Sequence, residues 1–238
     1  MINTTFQESL LKTLMGQVEE AFAEKPDLAG VVHGRRRITQ GARGKRTALF
    51  PSRKNGMTIA LESQLELAFC VACERNPNVS VYRCQALELE LGHGTRYFPD
   101  FLIRTADEQW LVREVKPDKK LLPDEVQKRH ALIKNILNSN GFDFDVIDQT
   151  DLPGRVEFEN LSFLYQRSIN KEWTSLEEEL AIQLISKLDA PVQLGDLYAK
   201  FKMGGLSPLL ADHLLFHCVF QANLNRPLRL TTLVGMKP

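Results

Sequence analysis

Apolar residues recur along this chain with two different periods. Leu10, Leu11, Leu14, Val18 and Phe22 fall on one side of a helix, behind a capping-box pattern at residues 5–8. Leu61, Leu65, Ala68, Phe69 and Ala72 repeat the helical spacing over residues 61–76. Glu62 and Glu66 stand four apart there, Cys70 and Cys73 continue their side, and Asn76-Pro77-Asn78 ends the pattern. From Val79 onward the period becomes that of strands. Residues 79–91 read as strands and 92–95 (GHGT) as a turn. Residues 97–103 (YFPDFLI) and 110–116 (WLVREVK) read as a β-hairpin joined through 105–108 (TADE). Residues 123–140 read as a helix closed by Gly141, and 142–147 as a strand returning to the sheet. Helices returning to a sheet predict an α/β core.

The pattern changes after about Arg167, which places a domain boundary there: 1–167, then 168–238. Residues 175–188 read as a helix capped by Thr174 or Ser175, with Glu177 to Glu179 near its positive end. Residues 192–201 and 208–224 read as two more helices, and 228–233 as a strand. Three helices and a β element predict a winged helix-turn-helix. Its candidate recognition helix is apolar on several sides and poor in Arg and Lys, which suits protein docking better than groove reading. His213 and His217, beside Cys218, resemble half a zinc site, but no second ligand pair has suitable spacing. Core or surface histidines are the better reading.

The hairpin carries the candidate chemistry. Side chains alternate faces along a strand, so Glu114 and Lys116 point one way and Val115 the other. A turn centred on Asp107 puts Asp100 opposite Glu114, with β-carbons roughly 4.5–5.5 Å apart. Phe98, Leu102 and Val112 share the acid face; Phe101, Ile103, Leu111 and Val115 share the other. Strands apolar on both faces belong in the middle of a sheet. Opposed carboxylates destabilise such a pair unless a cation lies between them. Pro99 and Pro117 mark where strand pairing opens. Hard oxygen ligands beside a lysine are what metal-dependent phosphodiester hydrolysis uses. The plainer alternative is a structural ion pair of Lys116 with Asp100 or Glu114.

The segments 63–66 (SQLE), 77–85 (PNVSVYRCQ), 97–103 (YFPDFLI) and 113–117 (REVKP) resemble TnsA, the endonuclease subunit of heteromeric cut-and-paste transposases. The likeness is carried by motifs over about residues 35–150 and by layout elsewhere. It implies a restriction-endonuclease-like fold of the PD-(D/E)xK class, with a mixed-sheet core followed by a small winged-helix domain. It implies Glu66 as the helix acid, Asp100 as the metal-binding aspartate, Glu114 as the first residue of the E-x-K element, and Lys116 as its lysine. Glu62 is the rival for the helix position, Gln85 falls at a strand glutamine beside the site, and Gln127 has no counterpart. Some relatives carry Gln where this chain has Glu114.

The mechanism expected from this set has Asp100, Glu114 and the Val115 backbone carbonyl holding one or two Mg²⁺ ions, with Mn²⁺ as a substitute. Glu66 would serve the second ion or its water, and Lys116 would orient or help deprotonate the attacking water and offset phosphate charge. The resemblance further implies cleavage at the 5′ ends of a transposon, alongside a separate TnsB-like transposase. A TnsC-like ATP-dependent regulator would contact the C-terminal domain.

Composition narrows the setting. The 238 residues suit one large domain or two small ones, and no apolar run approaches membrane-spanning length. A secretory signal pattern is not expected, because Glu8, Lys12 and Glu19 interrupt the first apolar stripe. Four cysteines without a disulfide framework fit a reducing, bacterial cytoplasm, with the protein on the nucleoid when it binds DNA. Thirty basic and thirty acidic residues cancel. A stand-alone tight DNA binder would more often be basic, so DNA is reached with help or through a local patch. Arg35, Arg36, Arg37, Arg43, Lys45, Arg46, Arg53 and Lys54 form such a patch, with Gly34, Gly41, Gly44 and Gly56 expected to keep it a flexible arm. A solvated loop without a ligand is the alternative. Two other functions remain open: a restriction- or repair-type nuclease of the same fold, and a regulatory DNA- or protein-binding module. Intact Glu66, Asp100, Glu114 and Lys116 argue against the second, since burying such a cluster is unfavourable.

Overall fold

The computed structural model describes residues 4–36, 38, 47–92, 94–186 and 190–236. It is a mixed α/β structure with seven helices among the described residues, and the chain divides into two compact units, 1–152 and 153–238.

The first unit is built on a four-stranded mixed sheet. Its strands are β4 (Val79–Cys84), β7 (Phe101–Thr105), β8 (Trp110–Val115) and β9 (Phe142–Ile147), adjacent in the order β4-β7-β8-β9. The first two pairings are antiparallel and β8–β9 is parallel, closed through α3 (Asp124–Asn138). The register Phe101↔Arg113, Leu102↔Val112 carries Asp100 opposite Glu114, as a turn centred on Asp107 requires. Both hairpin strands are internal to the sheet, which is why they are apolar on both faces.

On the acid face, Leu102 and Val112 pack with Leu14 and Val18 of α1 (Thr4–Ala23) and Ile133 and Leu137 of α3, alongside Phe142 and Phe144. On the opposite face Phe101 meets Phe69 of α2 (Gln64–Arg75) at 4.6 Å between ring centres. A two-stranded piece, β5 (Leu89–Glu90) with β6 (Arg96–Tyr97), leads into the hairpin.

Two features of this unit differ from the sequence expectation. The helix α2 buries Cys70, Cys73 and Glu74 as well as Ala68 and Phe69. It is sandwiched, because a second sheet covers its far side: β1 (Val31–Val32), β2 (Ala48–Ser52) and β3 (Met57–Leu61), in the order β1-β3-β2. The far end of the expected flexible arm is therefore a β-hairpin, with Arg53 and Lys54 in its turn. Glu74 explains the local stability. Its buried carboxylate accepts from Ser52 Oγ (2.5 Å), Tyr82 Oη (2.8 Å) and the Lys54 amide (3.2 Å), tying both sheets to the helix.

The second unit contains α4 (Arg155–Ser168), α5 (Ser175–Ser186), β10 (Val192–Gln193), α6 (Leu194–Met203), α7 (Pro208–Phe216), β11 (Phe220–Gln221) and β12 (Leu233–Met236). The strands form one sheet in the order β10-β12-β11. Thr174 and Glu177 cap α5 reciprocally, as the sequence suggested.

Helix α4 was not read from the sequence, and the compositional change at Arg167 falls in its last turn. It packs on α7, where Tyr165 meets Phe216 at 5.1 Å and Arg167 Nε pairs with the fully buried Asp212 at 2.7 Å. The apolar residues of α7 are thus the core of this unit rather than an open docking face. The helix stops at Phe216, well before 224, because Cys218 takes a left-handed conformation (φ 60°) and its amide and that of Val219 turn back on Leu215 and Leu214. Residues 228–232 are likewise not strand. Their polar groups serve elsewhere: the Leu230 and Thr232 carbonyls accept from the first amides of α6, and the Leu228 amide donates to Asn160 of α4.

Gly34 provides a test of the packing beside β4. A β-carbon there would lie 2.4 Å from the Cys84 carbonyl oxygen and 2.8 Å from Gln85. Both neighbours belong to a sheet edge that cannot give way cheaply. Gly34→Ala is expected to destabilise the protein by ~1–3 kcal/mol in urea unfolding; an unchanged midpoint would show that the segment is not held against β4.

Candidate active site

The site lies where the β7–β8 hairpin opens. Pro99 has no amide hydrogen, so ladder pairing ends just ahead of Asp100. The two acids fill the gap with reciprocal bonds. The Val115 amide donates to Asp100 Oδ2 (2.8 Å), and the Asp100 amide donates more weakly to Glu114 Oε2 (3.3 Å). Each carboxylate satisfies backbone on the opposite strand, which fixes both side chains without a regular ladder bond. Lys116 closes the cluster, its Nζ 2.5 Å from Glu114 Oε1 and 3.8 Å from Asp100 Oδ2. The Lys116 amide extends the β8–β9 pairing by donating to the Ile147 carbonyl (2.9 Å). Val115 is the last residue of β8, opposite Ile147.

Burial sets the electrostatics. Glu114 is 4% exposed. Asp100 is pushed up to about 7 by burial first and by the neighbouring Glu114 charge second, against the pull of Lys116 and the Val115 amide. Burial also works against the Lys116 charge, but Glu114 and Asp100 outweigh it and raise its pKa. The lysine therefore stays cationic at neutral pH.

Glu66 stands at the first turn of α2. Ser63 is the N-cap: its Oγ accepts from the Glu66 amide and donates to Glu66 Oε1, both at 3.1 Å. The other oxygen, Oε2, accepts from the Glu62 amide at 2.8 Å. This is a capping box, written in the sequence as Ser63-x-x-Glu66 but passed over there. The Glu66 carboxyl is raised by burial, and it acts electrostatically on both Lys116 and Asp100. It thus belongs to the same charged neighbourhood while holding the helix end. Glu62 instead pairs with Arg36 at 2.5 Å.

Gln85 follows the last residue of β4. Its amide donates to the Asp100 carbonyl at 2.9 Å, so it borders the site through backbone. With its side-chain amide oriented to satisfy both ends, it donates to the Arg36 carbonyl (3.1 Å) and accepts from Arg36 Nη2 (3.0 Å). Gln85 is left-handed (φ 47°), a strained position for a residue with a β-carbon.

The basic residues do not behave as one arm. Arg35 is held by the Ala86 carbonyl (2.9 Å) and by Glu20, and Arg36 lies beside Gln85 and Glu62. Lys54 points its ammonium at the Asn76 and Val79 carbonyls at the far end of α2, and burial lowers its pKa. Arg53 occupies the same turn. Arg37, Arg43, Lys45 and Arg46 lie outside the described residues.

Two residues that sequence reasoning passed over stand beside the acids. Tyr97 and His130 are 8% and 6% exposed, with ring centres 6.3 Å apart. His130 shares the buried stripe of Ile133 and Leu137 on α3, and that spacing was the available signal.

The donor set suits a hard divalent cation. Asp100 and Glu114 offer carboxylate oxygens that burial leaves poorly neutralised, and Mg²⁺ is commonly held by one or two carboxylates with water completing its shell. No group of three His, Cys, Asp or Glu side chains that could hold a metal occurs among the described residues.

The Asp100 shift has a sign that can be checked. In metal-free protein the folded state retains a proton on Asp100 between 3.8 and about 7, where the unfolded chain has lost it. The folded state then binds more protons than the unfolded state, so stability falls as pH rises through that window. Asp100→Asn is expected to remove this slope and to be more stable than the parent by ~1–2 kcal/mol at about pH 8. Urea unfolding across the window measures it, and parallel pH profiles for the two proteins would refute the assignment.

No curated protein matches this sequence. Residues 76–149 match the family model described as TnsA-like endonuclease N terminal. The matched stretch holds Gln85, Asp100, Glu114, Lys116, Tyr97 and His130, and it begins after Glu66. Over that stretch the chain is similar to the N-terminal domain of TnsA-like endonucleases.

Proposed function

We propose that this protein is a Mg²⁺-dependent DNA endonuclease that hydrolyses phosphodiester bonds at the 5′ ends of a transposon, beside a separate TnsB-like transposase. The observation that carries the reading is the Asp100–Glu114–Lys116 cluster at the hairpin opening, inside the segment that matches the endonuclease family. A restriction-endonuclease-like core of the PD-(D/E)xK class accommodates the mixed sheet β4-β7-β8-β9.

Asp100 and Glu114 would hold Mg²⁺, with Mn²⁺ as a substitute, and the Val115 carbonyl as a further ligand. When bound, the ion supplies Lewis-acid polarisation of the phosphate and a more acidic water. The chain's own residues do the rest. The reciprocal backbone bonds hold Asp100 and Glu114 at fixed spacing, so little reorganisation is needed when charge develops. Lys116, kept protonated by its acidic neighbours, suits offsetting phosphate charge and orienting the attacking water better than accepting its proton. Glu66 would orient water from the α2 side while capping the helix. Gln85 would fix the Asp100 backbone.

DNA would be gripped by Arg35 and Arg36 near the site, with Arg37, Arg43, Lys45 and Arg46 following in sequence; Arg53 and Lys54 sit farther along the β2–β3 turn. A winged-helix C-terminal domain is supported by α5, α6 and α7 with the small sheet β10-β12-β11. Because α7 is buried within that unit, a TnsC-like ATP-dependent regulator would find its surface elsewhere on it. No helix of the described residues is long and apolar enough to cross a membrane. The neutral net charge favours action within a complex over cutting alone.

Reconstitution with a TnsB-like transposase, a donor plasmid and Mg²⁺ tests the reading. Strand-specific mapping should place breaks at the 5′ ends, and Asp100→Ala or Lys116→Ala should reduce them at least ~10³-fold. Full 5′ cleavage by either variant would remove the assigned residues from the chemistry. Cutting of plain plasmid by the protein alone would instead favour a restriction-type nuclease.

The two roles of Glu66 can be separated. Ser63→Ala should destabilise the protein by ~1 kcal/mol with cleavage retained. Glu66→Gln should keep most of the stability and lose cleavage, and retention of full activity would leave Glu66 a helix cap only.

A further inference from the structure

The Tyr97 hydroxyl and His130 Nε2 are buried polar atoms without a hydrogen-bond partner. Tyr97 belongs to the buried cluster of the acid face with Leu102 and Val112, and His130 is buried on α3 with its ring 6.3 Å from that of Tyr97. An apolar site could have used Phe at either position with no buried polar atom left over. Polar groups in such places are nearly always satisfied. The strongest charged neighbour of Tyr97 is Glu114, which acts on it as a nearby acceptor, with Asp100 next. Glu114 is also the carboxylate that acts on His130. Two unsatisfied groups, one from β6 and one from α3, therefore have the same buried acid as a charged neighbour. In the present arrangement Glu114 gives Oε1 to Lys116 and Oε2 to the Asp100 amide, and Tyr97 stops short of a complete bond.

We propose that Tyr97 is a positioning residue for Glu114. Its hydroxyl donates to the Glu114 carboxylate and fixes that group's rotation, and His130 closes the polar pocket from α3. The inference rests on the nuclease reading for its purpose, though not for its geometry. A carboxylate ligand needs a partner behind it, since an unbraced side chain would lose its orientation to the ammonium of Lys116. Groups in this position typically change metal affinity roughly 10–100-fold when removed. Tyr97 is suited to the role because its ring is anchored in the core while its hydroxyl reaches past it. His130 lies edge-on to the Tyr97 ring and 6.1 Å from Phe144, which holds the imidazole in place.

Tyr97→Phe removes a single oxygen and leaves the ring packing intact, so the full-length variant should fold. Two measurements judge it. In metal-free protein, the carboxyl ¹³C resonance of Glu114, labelled uniformly and assigned with Glu114→Gln, should move in Tyr97→Phe while that of Glu90 on β5 stays in place. By calorimetry, Mg²⁺ should bind Tyr97→Phe roughly 10–100-fold more weakly than the parent. An unmoved Glu114 resonance, or parental Mg²⁺ affinity, overturns the proposal. If the parent itself binds no Mg²⁺ but the resonance moves, the Tyr97–Glu114 bond stands and the metal-dependent nuclease reading is what fails. His130→Gln, which keeps a polar group at the same depth, should give a smaller shift of the same resonance.

Discussion

Everything in the first unit is arranged around two like charges held face to face. Asp100 and Glu114 oppose each other at the end of internal strands, Glu114 buried and Asp100 partly so, where water screens them weakly. Such a pair would push a hairpin apart. Three features hold it: each acid accepts an amide from the other strand, Lys116 spans both, and the apolar faces above and below are closed by helices. The compensation is incomplete, because Asp100 remains far above the ordinary carboxylate range. Burial and mutual repulsion therefore leave the site with an unsatisfied demand for positive charge. A fold that carries such a demand at one strand opening has the character expected of a functional site.

The hairpin was legible because it depends on local counting. A period of two and a turn centred on Asp107 suffice to set which residues share a face, and the register Phe101↔Arg113 follows. Helix α3 and strand β9 were legible for the same reason. The unread elements depend on partners distant in sequence. The residues of β2 and β3 sit next to a glycine- and arginine-rich stretch that reads as loop. The buried Glu74, reaching Ser52, Lys54 and Tyr82, and Asn55, accepting from the Tyr82 amide and Arg83, show why that hairpin is anchored. Cys70 and Cys73 seemed to lie on the polar side of α2, yet a sheet on that side buries them. In the second unit α4 was missed, and so the apolar surface of α7 looked available. Its occupants are earlier helices of the same chain, α4 above all.

Glu66 shows how one residue type can satisfy two demands. Ser63-x-x-Glu66 ends a helix by bonding its free amides, and that alone would justify the glutamate. The same cap sets the carboxylate at the positive end of α2, within electrostatic reach of Lys116 and Asp100. A helix dipole favours the charged form and burial disfavours it, and burial prevails. The sequence pattern cannot separate cap from ligand, because both need an acid at that position.

Local placement also resolves the neutral overall charge. A protein with as many acids as bases has no general attraction for DNA. What it has instead is positioning. Gly34, with no room for a side chain against Cys84 and Gln85, lets the following residues lie on the sheet edge beside the site. Arg35 and Arg36 are then tethered by Ala86, Glu20, Gln85 and Glu62 rather than left free. Gln85 accepts a left-handed backbone to make that contact while its amide braces Asp100. Arg36 is thus fixed by the same residue whose amide holds the Asp100 carbonyl. Charge that is bound in place beside a buried cluster acts on a phosphate only at close range.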